Sequence, residues 1–361
     1  MAVVTALQFS PVSGAMICDE EYWYLRRRRS YFTDNIRNLI PEDVAEALGI
    51  EAAYGGYGHP GFHEEVIRRT REKITKIFQE STGDKAAGQL GDIENIAMIV
   101  RQAMQDTRRR KVDDMLKYLY GFNMDELNQG VFEENGTKYD IKQENVVTDA
   151  KKIVTYEKKT GLTDPIFKNK AVVIGYDRSF GYRGFHVNAE NTVCSLISGG
   201  FEAIGAGLYG AGVEFSRIMN RLTLDERRNG FDRVWGVIAL IEATLKAYDH
   251  FHEVGGGLNF IYINGEASSP ADRYIELHDN ITRLAHEMVK AAQYSLVGYA
   301  QIYPLINDLI FNRADRRKVE KKFFQSVKDQ KSLNKLLRGY KFHPYPPAPA
   351  QKETKTTGTA S

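Results

Sequence analysis

The stretch from Lys170 to Gly265 constrains what this chain can fold into more than any other part of the sequence. Ala171–Gly175 is a short apolar run closed by Asp177-Arg178, and Gly184–Val187 is a second, followed by the turn residues Asn188, Glu190 and Asn191. Val193–Ile197 reads as a third strand that leads into Ser198-Gly199-Gly200 and then a helix of small residues. A helical stretch from Leu224 to Tyr248 follows. Phe231, Val234, Trp235, Ile238, Ile241, Leu245 and Tyr248 share one face of it, which predicts burial of Trp235 and Ile238. Gly255-Gly256-Gly257 then introduces the apolar run Leu258–Ile263, closed by Asn264-Gly265. Strands and helices thus come in blocks, which disfavours a doubly wound βαβ fold. Gly205, Gly207 and Gly210 lie in small-residue helical sequence, without the strand–turn–helix context of a dinucleotide site.

The rest of the chain extends the pattern. Ala2–Phe9 and Ala15–Cys18 are strand-like runs joined by Pro11 and Ser13-Gly14, a hairpin signal that ends at Asp19. Tyr22–Phe32 is aromatic, basic and extended, and Ala52–Tyr57 is small and glycine-rich. His59-Pro60-Gly61 breaks the chain before a helix whose apolar face is Phe62, Val66, Ile67, Ile74, Ile77 and Phe78. A second helix spans about Asp92 to Leu119. The expected fold is α+β, a four-layer α/β/β/α sandwich of two antiparallel sheets. Its expected organisation is a core over residues 1–265, with a polar insertion or hairpin loop at about 121–161. A helical extension follows over 266–341, beginning with a helix from about Pro270 to Tyr294. The tail, 342–361, is too polar and proline-rich to bury a core.

Composition narrows the function. The 49 basic residues balance 47 acidic ones, so bulk charge draws the chain to neither nucleic acid nor a membrane surface. Arg26–Arg29 and Arg108–Lys111 read as solvated faces paired with acids such as Asp106, Asp113 and Asp114, which leaves nucleic-acid binding a weak alternative. Cys18 and Cys194 read as buried, reduced thiols. The first residues lack signal-peptide character, and no apolar run approaches the ~20 residues of a membrane span. A cytoplasmic protein without membrane association is expected. His59 and His63 are separated by Pro60-Gly61 and do not form a helical metal pair, and neither metal nor cofactor is expected. Tyr54, Tyr57, Tyr176, Tyr182 and Tyr209, beside or near glycines, suit either subunit contacts or half-buried strand positions.

The order of segments from Lys170 to Gly265 resembles the second half of a proteasome β-type subunit of the N-terminal-nucleophile (Ntn) hydrolase superfamily. Ala2–Ile40 and Ala52–Phe78 resemble it more loosely. The resemblance implies the proteasome-like Ntn-hydrolase fold, in which the free α-amine of an N-terminal Thr, Ser or Cys is the base for its own side chain. Ser13–Asp19 resembles that family's second strand, so Asp19 matches its active-site aspartate. Ser198-Gly199-Gly200 resembles the Gly-Ser-Gly turn whose amide forms the oxyanion hole, which implicates Gly199. The family's spacing back from Asp19 lands on Val3, which has no nucleophile. Thr5 is the nearest hydroxyl, but no glycine precedes it for processing. The family's lysine falls near Asn35, with Arg37 close by, and arginine is no titrating substitute. The distal aspartate and serine fall on His252 or Phe251 and on Gly255 or Val254, with Asp249 in reach only after a local shift. The resemblance therefore implies a homo-oligomer, a closed ring in that family, with an unidentified protein partner and without the standard threonine peptidase activity. The alternative is a threonine-type peptidase or amidase maturing at Thr5 and using Asp19 and Gly199.

Overall fold

The computed structural model describes residues 3–19, 22–24, 27–30, 35–81, 84–155, 169–190, 194–250, 257–277 and 279–338. In chain order, β1 (Val3–Ser10) and β2 (Ser13–Asp19) form the expected hairpin. After it come β3 (Tyr22–Tyr24), β4 (Arg27–Ser30), β5 (Ile36–Asn38), α1 (Glu42–Leu48) and β6 (Glu51–Tyr57). The helices α2 (Pro60–Glu80), α3 (Asp84–Leu90) and α4 (Ile93–Tyr120) follow. His59 stands outside α2 as its extended N-cap and Pro60 opens the first turn, where a missing N–H costs nothing. Asp92 caps α4 by accepting from the Glu94 amide, and Gly121 ends it in the left-handed conformation.

The polar stretch after α4 is more ordered than its composition implied. It holds α5 (Met124–Gln129), the hairpin β7 (Val131–Glu134) and β8 (Thr137–Asp140), and α6 (Glu144–Thr155). Val112, Leu116, Phe122, Leu127, Ala150 and Ile153 give it a small core of its own. Sparse apolar residues at helical spacing are enough for such a satellite cluster.

Next come β9 (Lys170–Asp177), β10 (Gly181–Asn188), β11 (Ser195–Leu196) and β12 (Phe201–Gly205), then α7 (Leu208–Met219), α8 (Leu224–Asn229) and α9 (Arg233–His250). Ser198-Gly199-Gly200 therefore leads into a strand, not directly into a helix, because Phe201–Gly205 pairs along β1. The chain closes with β13 (Leu258–Asn264), α10 (Pro270–Arg273), β14 (Tyr274–Leu277), α11 (Asp279–Gln293), α12 (Tyr299–Ile310), α13 (Arg316–Ser326) and α14 (Gln330–Arg338). β14 interrupts the long helix expected from Pro270, since Tyr274–Leu277 pairs with β13 and supplies the sheet's fifth strand.

The architecture is the expected four-layer sandwich. One sheet runs β12-β1-β2-β13-β14 and the other β11-β10-β9-β6-β5, and every pairing in both is antiparallel. Between them pack Val4, Ala6, Met16 and Cys18 from one side and Ala53, Val172, Ile174 and Tyr182 from the other. α2 and α4 cover the second sheet through Phe62, Val66, Ile93, Ile96 and Val100. α7, α9 and α11 cover the first through Phe215, Val237, Leu240 and Met288, and α12 to α14 join the same cluster through Ile306, Phe323 and Leu333.

Trp235 differs from its expected place. Ile238 is buried, but Trp235 is 43% exposed and lies against Tyr303 and Tyr299, with ring centroids 5.5 and 6.2 Å away. α9 is packed on several sides at once, so its apolar stripe does not name a single buried face. Residues 224–248 are also two helices, broken at Gly230 (φ +98°), where a Cβ would stand 2.5 Å from Ser10.

Glycine sets the spacing of the sheets at Gly55. A Cβ there would meet Met16 Sδ at 2.5 Å and Val4 Cγ1 at 2.6 Å, both across the inter-sheet layer. Gly55→Ala should therefore force the sheets to shift and destabilise the fold by about 1–3 kcal/mol, read as a lower urea midpoint at unchanged slope.

Glu51 opens β6 and is buried, and burial pushes its carboxyl up to about 7 against the opposing pull of Arg273. The native state holds this proton where the unfolded chain, with its carboxyl near 4.5, has released it. Stability from this group is present below pH 4.5 and is lost as pH rises through 7. Glu51→Gln should flatten that decline in melts taken from pH 4.5 to 8.

Candidate functional site

One end of the inner β1–β2 hairpin of the first sheet brings together three of the residues singled out in the sequence. β1 and β2 pair so that Val4 faces Cys18, which sets Val3 beside Asp19. The Val3 amide donates to Asp19 Oδ1 at 2.7 Å, and both residues are fully buried. Asn35 Nδ2 donates to the Asp19 carbonyl at 3.3 Å, while the Asn35 carbonyl accepts from the Gly56 amide at 2.8 Å. Asn35 thus ties the end of β2 to β6. Its amide carries no charge, so nothing at this position acts as an ammonium would.

Val3 leaves no room around itself. Gly205, at φ +105°, stands opposite it on β12, and a Cβ on Gly207 would lie 3.3 Å from Val3 Cγ2 and 2.3 Å from Ala247 Cβ. The start of α7 and the last turn of α9 close over this side chain.

Gly199 is not part of this group. The Gly200 carbonyl accepts from the Gln8 amide, and Phe201 pairs with Leu7. Gln8 is five residues along β1 from Val3, or roughly 17 Å at ~3.4 Å per residue. β12 runs antiparallel to β1, so the end of β12 that meets Val3 is Gly205 and the Gly199-Gly200 turn lies at the far end. His252 and Gly255, and Phe251 and Val254 with them, lie outside the described residues, so their relation to Asp19 is not part of this geometry.

Thr5 sits in mid-strand, between Ala203 on β12 and Ile17 on β2. Its hydroxyl is 2.8 Å from Thr244 Oγ1 on α9, and Thr244 in turn lies 2.9 Å from the Leu240 carbonyl. With the Thr244 proton given to Leu240, Thr5 donates to Thr244. Thr244 was missed in the sequence, although a threonine one turn after Leu240 in an otherwise apolar helix is the signal of a back-bonded hydroxyl.

The surrounding polar groups are structural. Tyr54 Oη and His63 Nδ1 are 2.5 Å apart and fully buried, which holds the His63 imidazole neutral with its pKa down to about 4. Among the described residues no cluster of three or more His, Cys, Asp or Glu has the arrangement of a metal site. Cys18 is buried and Cys194 half-buried, and burial pushes the Cys194 thiol up to about 11. The second arginine run is partnered, though not by the acids expected: Arg109 pairs with Asp125 at 2.6 Å and Arg110 with Glu65 at 3.2 Å. Asp113 is turned to the Met124 amide and Asp106 to Gln102. A cleft of about 700 Å³ on the outer side of α2 is lined by Arg37, Glu64, Arg68, Arg71 and Glu72. Its mixed charge selects no one sign of ligand, and Arg68 is already bonded to Glu65 and Glu72.

No family model matches the chain, and no curated protein matches it. Among solved structures, it is similar to Anbu (ancestral beta-subunit) from Yersinia bercovieri, with a TM-score of 0.52 and 9% identity over 84% of this chain and 96% of that one. It also matches an Anbu (Gly-1) mutant from Hyphomicrobium sp. strain MC1, with a TM-score of 0.48 and 11% identity over 82% of this chain and 96% of that one. These findings correct the resemblance drawn from sequence. The glycine and small-residue motifs do not make the chain a proteasome β-subunit-like family member, because identity this low carries the fold alone. The fold itself is the proteasome-like Ntn-hydrolase sandwich. Among the described residues no helix is long and apolar enough to cross a membrane.

The Val3–Asp19 contact sets a stability test. Asp19→Ala should orphan a buried N–H and cost about 1–3 kcal/mol. Asp19→Asn keeps an oxygen in place and should cost clearly less. Urea denaturation of the two variants checks the order.

Proposed function

We propose that this chain is a self-assembling structural or interaction protein that uses the proteasome-like sandwich as a scaffold and lacks N-terminal-threonine peptidase activity. The observation that carries the reading is the Val3–Asp19–Asn35 group. The strand end beside Asp19 holds a valine whose amide is bonded to the carboxylate, and the neighbouring side chain is a neutral amide. An N-terminal-nucleophile reaction needs a hydroxyl or thiol beside a free amine, and this group offers neither.

Maturation at Thr5 is disfavoured on the same grounds. It would remove Val3 and Val4, both fully buried, together with their pairing to Gly205, Ile204 and Cys18. It would also require the Thr5 hydroxyl to leave Thr244. Nucleic-acid binding through Arg108–Arg110 is disfavoured because Arg109 and Arg110 are held in ion pairs.

Self-assembly is supported by apolar surface. Tyr209 and Val213 on α7 and Leu224 on α8 are about 70% exposed, and Trp235 on α9 is half-exposed. Large apolar side chains left open on one helix layer support its use as a contact surface.

The mature protein should keep residues 3–5, as read by intact mass, and should scatter light as a species larger than 41.0 kDa. Neither the parent nor Thr5→Ala should turn over fluorogenic peptides. Cleavage by the parent that Thr5→Ala abolishes, with assembly intact, would establish the processed enzyme instead. Loss of a nucleophile costs on the order of 10⁶ in rate, so the two results are well separated.

A further inference from the structure

The two C-terminal helices divide the charge of this chain unevenly. Arg316–Arg338 holds nine lysines and arginines against Glu320 and Asp329, a net +7, whereas the whole chain is +2. The remainder is therefore five charges negative. α13 and α14 are anchored by Val319, Phe323, Val327 and Leu333, all buried in the helix layer over the first sheet. Their other side carries Arg317, Lys318, Lys321, Lys328, Lys331 and Lys335, all exposed. Lys322 pairs with Asp308 and Arg316 with Glu320, but none of these six has an acidic partner within 4.0 Å among the described residues.

A matching acidic face exists elsewhere in the chain. α1 exposes Glu42, Asp43 and Glu46 and holds no basic residue. These three carboxylates have no ion-pair partner among the described residues. α1 packs through Val44 and Ala45 into the cluster over the second sheet, so it lies on the opposite helix layer from α13 and α14. The two sheets stand between, and the faces cannot meet within one molecule.

We infer that the cationic face of α13–α14 docks on the acidic α1 face of a second copy of this chain, in a head-to-tail contact. Such a contact is heterologous, and it repeats into a ring or a filament depending on the rotation between copies. Other anionic partners fit less well. The acidic remainder of the chain repels a nucleic acid at long range, and Phe323 is buried and Phe324 half-buried, so α13 offers no open ring on which a base could stack. Leu333 of α14 is buried in the protein and cannot enter a bilayer.

This inference rests on the self-assembly proposed above, and the experiment separates the two. Full-length parent is compared by sedimentation velocity with K321E/K331E and E42K/E46K, at 50 and 500 mM NaCl. The expected result is that the parent assembles and weakens at high salt. Each variant alone should sediment as a smaller species with unchanged circular dichroism, its association weakened at least tenfold. An equimolar mixture should regain the parent's size, since each reversed face then meets its complement. If both variants assemble like the parent, this interface is wrong while self-assembly stands. If the parent is monomeric throughout, both fail. If K321E/K331E loses binding of a labelled DNA duplex and assembles normally, the partner is a polyanion and this inference is overturned.

Discussion

The β1–β2 hairpin is buried on both faces, and the rest of the molecule is arranged around that constraint. Val4, Ala6, Met16 and Cys18 point between the sheets, while Val3, Leu7, Ala15 and Ile17 point at the helices. With no water on either side, each backbone polar group of the hairpin needs a partner in the protein. β12 and β13 supply most of them from the flanks. At the end of β1 the Asp19 carboxylate takes the Val3 amide. A reactive N-terminus at the same place would need an open, polar mouth. Here valine, glycine and alanine from three elements meet in close packing instead.

Close approach between layers relies on positions without a side chain. Gly55 faces Met16 and Val4, Gly56 faces the His63 ring, and Gly236 faces the Phe9 ring, each at a spacing that a Cβ would violate. The ionisable groups caught in these layers act against one another. Glu51 favours the fold at low pH, where it keeps its proton. His63 and His286, held neutral by burial with pKa values near 4 and 3, favour it above the ordinary histidine value of 6.5. Acidification through 6.5 therefore removes stability at the histidines while it restores it at Glu51.

The outer surface carries two kinds of unfinished contact. α7, α8 and α9 leave Tyr209, Val213, Leu224 and Trp235 open to solvent, and α13 and α14 expose six cations with no acidic group within 4.0 Å among the described residues. Both lie on the helix layer over the first sheet. The opposite layer carries the acidic α1. A cationic patch on one outer layer and an acidic helix on the other can meet between copies, and such a contact repeats head to tail.

Local sequence determined the β1–β2 hairpin, β9, β10 and β13, the starts of α2 and α4, and the block order that implies two stacked antiparallel sheets. Apolar alternation, turn residues and caps act within a few residues of one another and are legible without a fold. It also determined that Val3 and Asn35 are chemically inert, since residue type alone decides that. Tertiary structure decided the rest. Gly199 stands about five residues of β1 away from Val3 because strand register, and not motif likeness, sets which turn meets which strand end. Trp235 is half-exposed because α9 is packed on several sides, and an apolar stripe does not say which of its large residues the neighbours leave uncovered. Tyr274–Leu277 became a strand because the edge of β13 was free to pair. The Thr5–Thr244 contact joins residues 239 apart, and only folding brings such hydroxyls within hydrogen-bond reach.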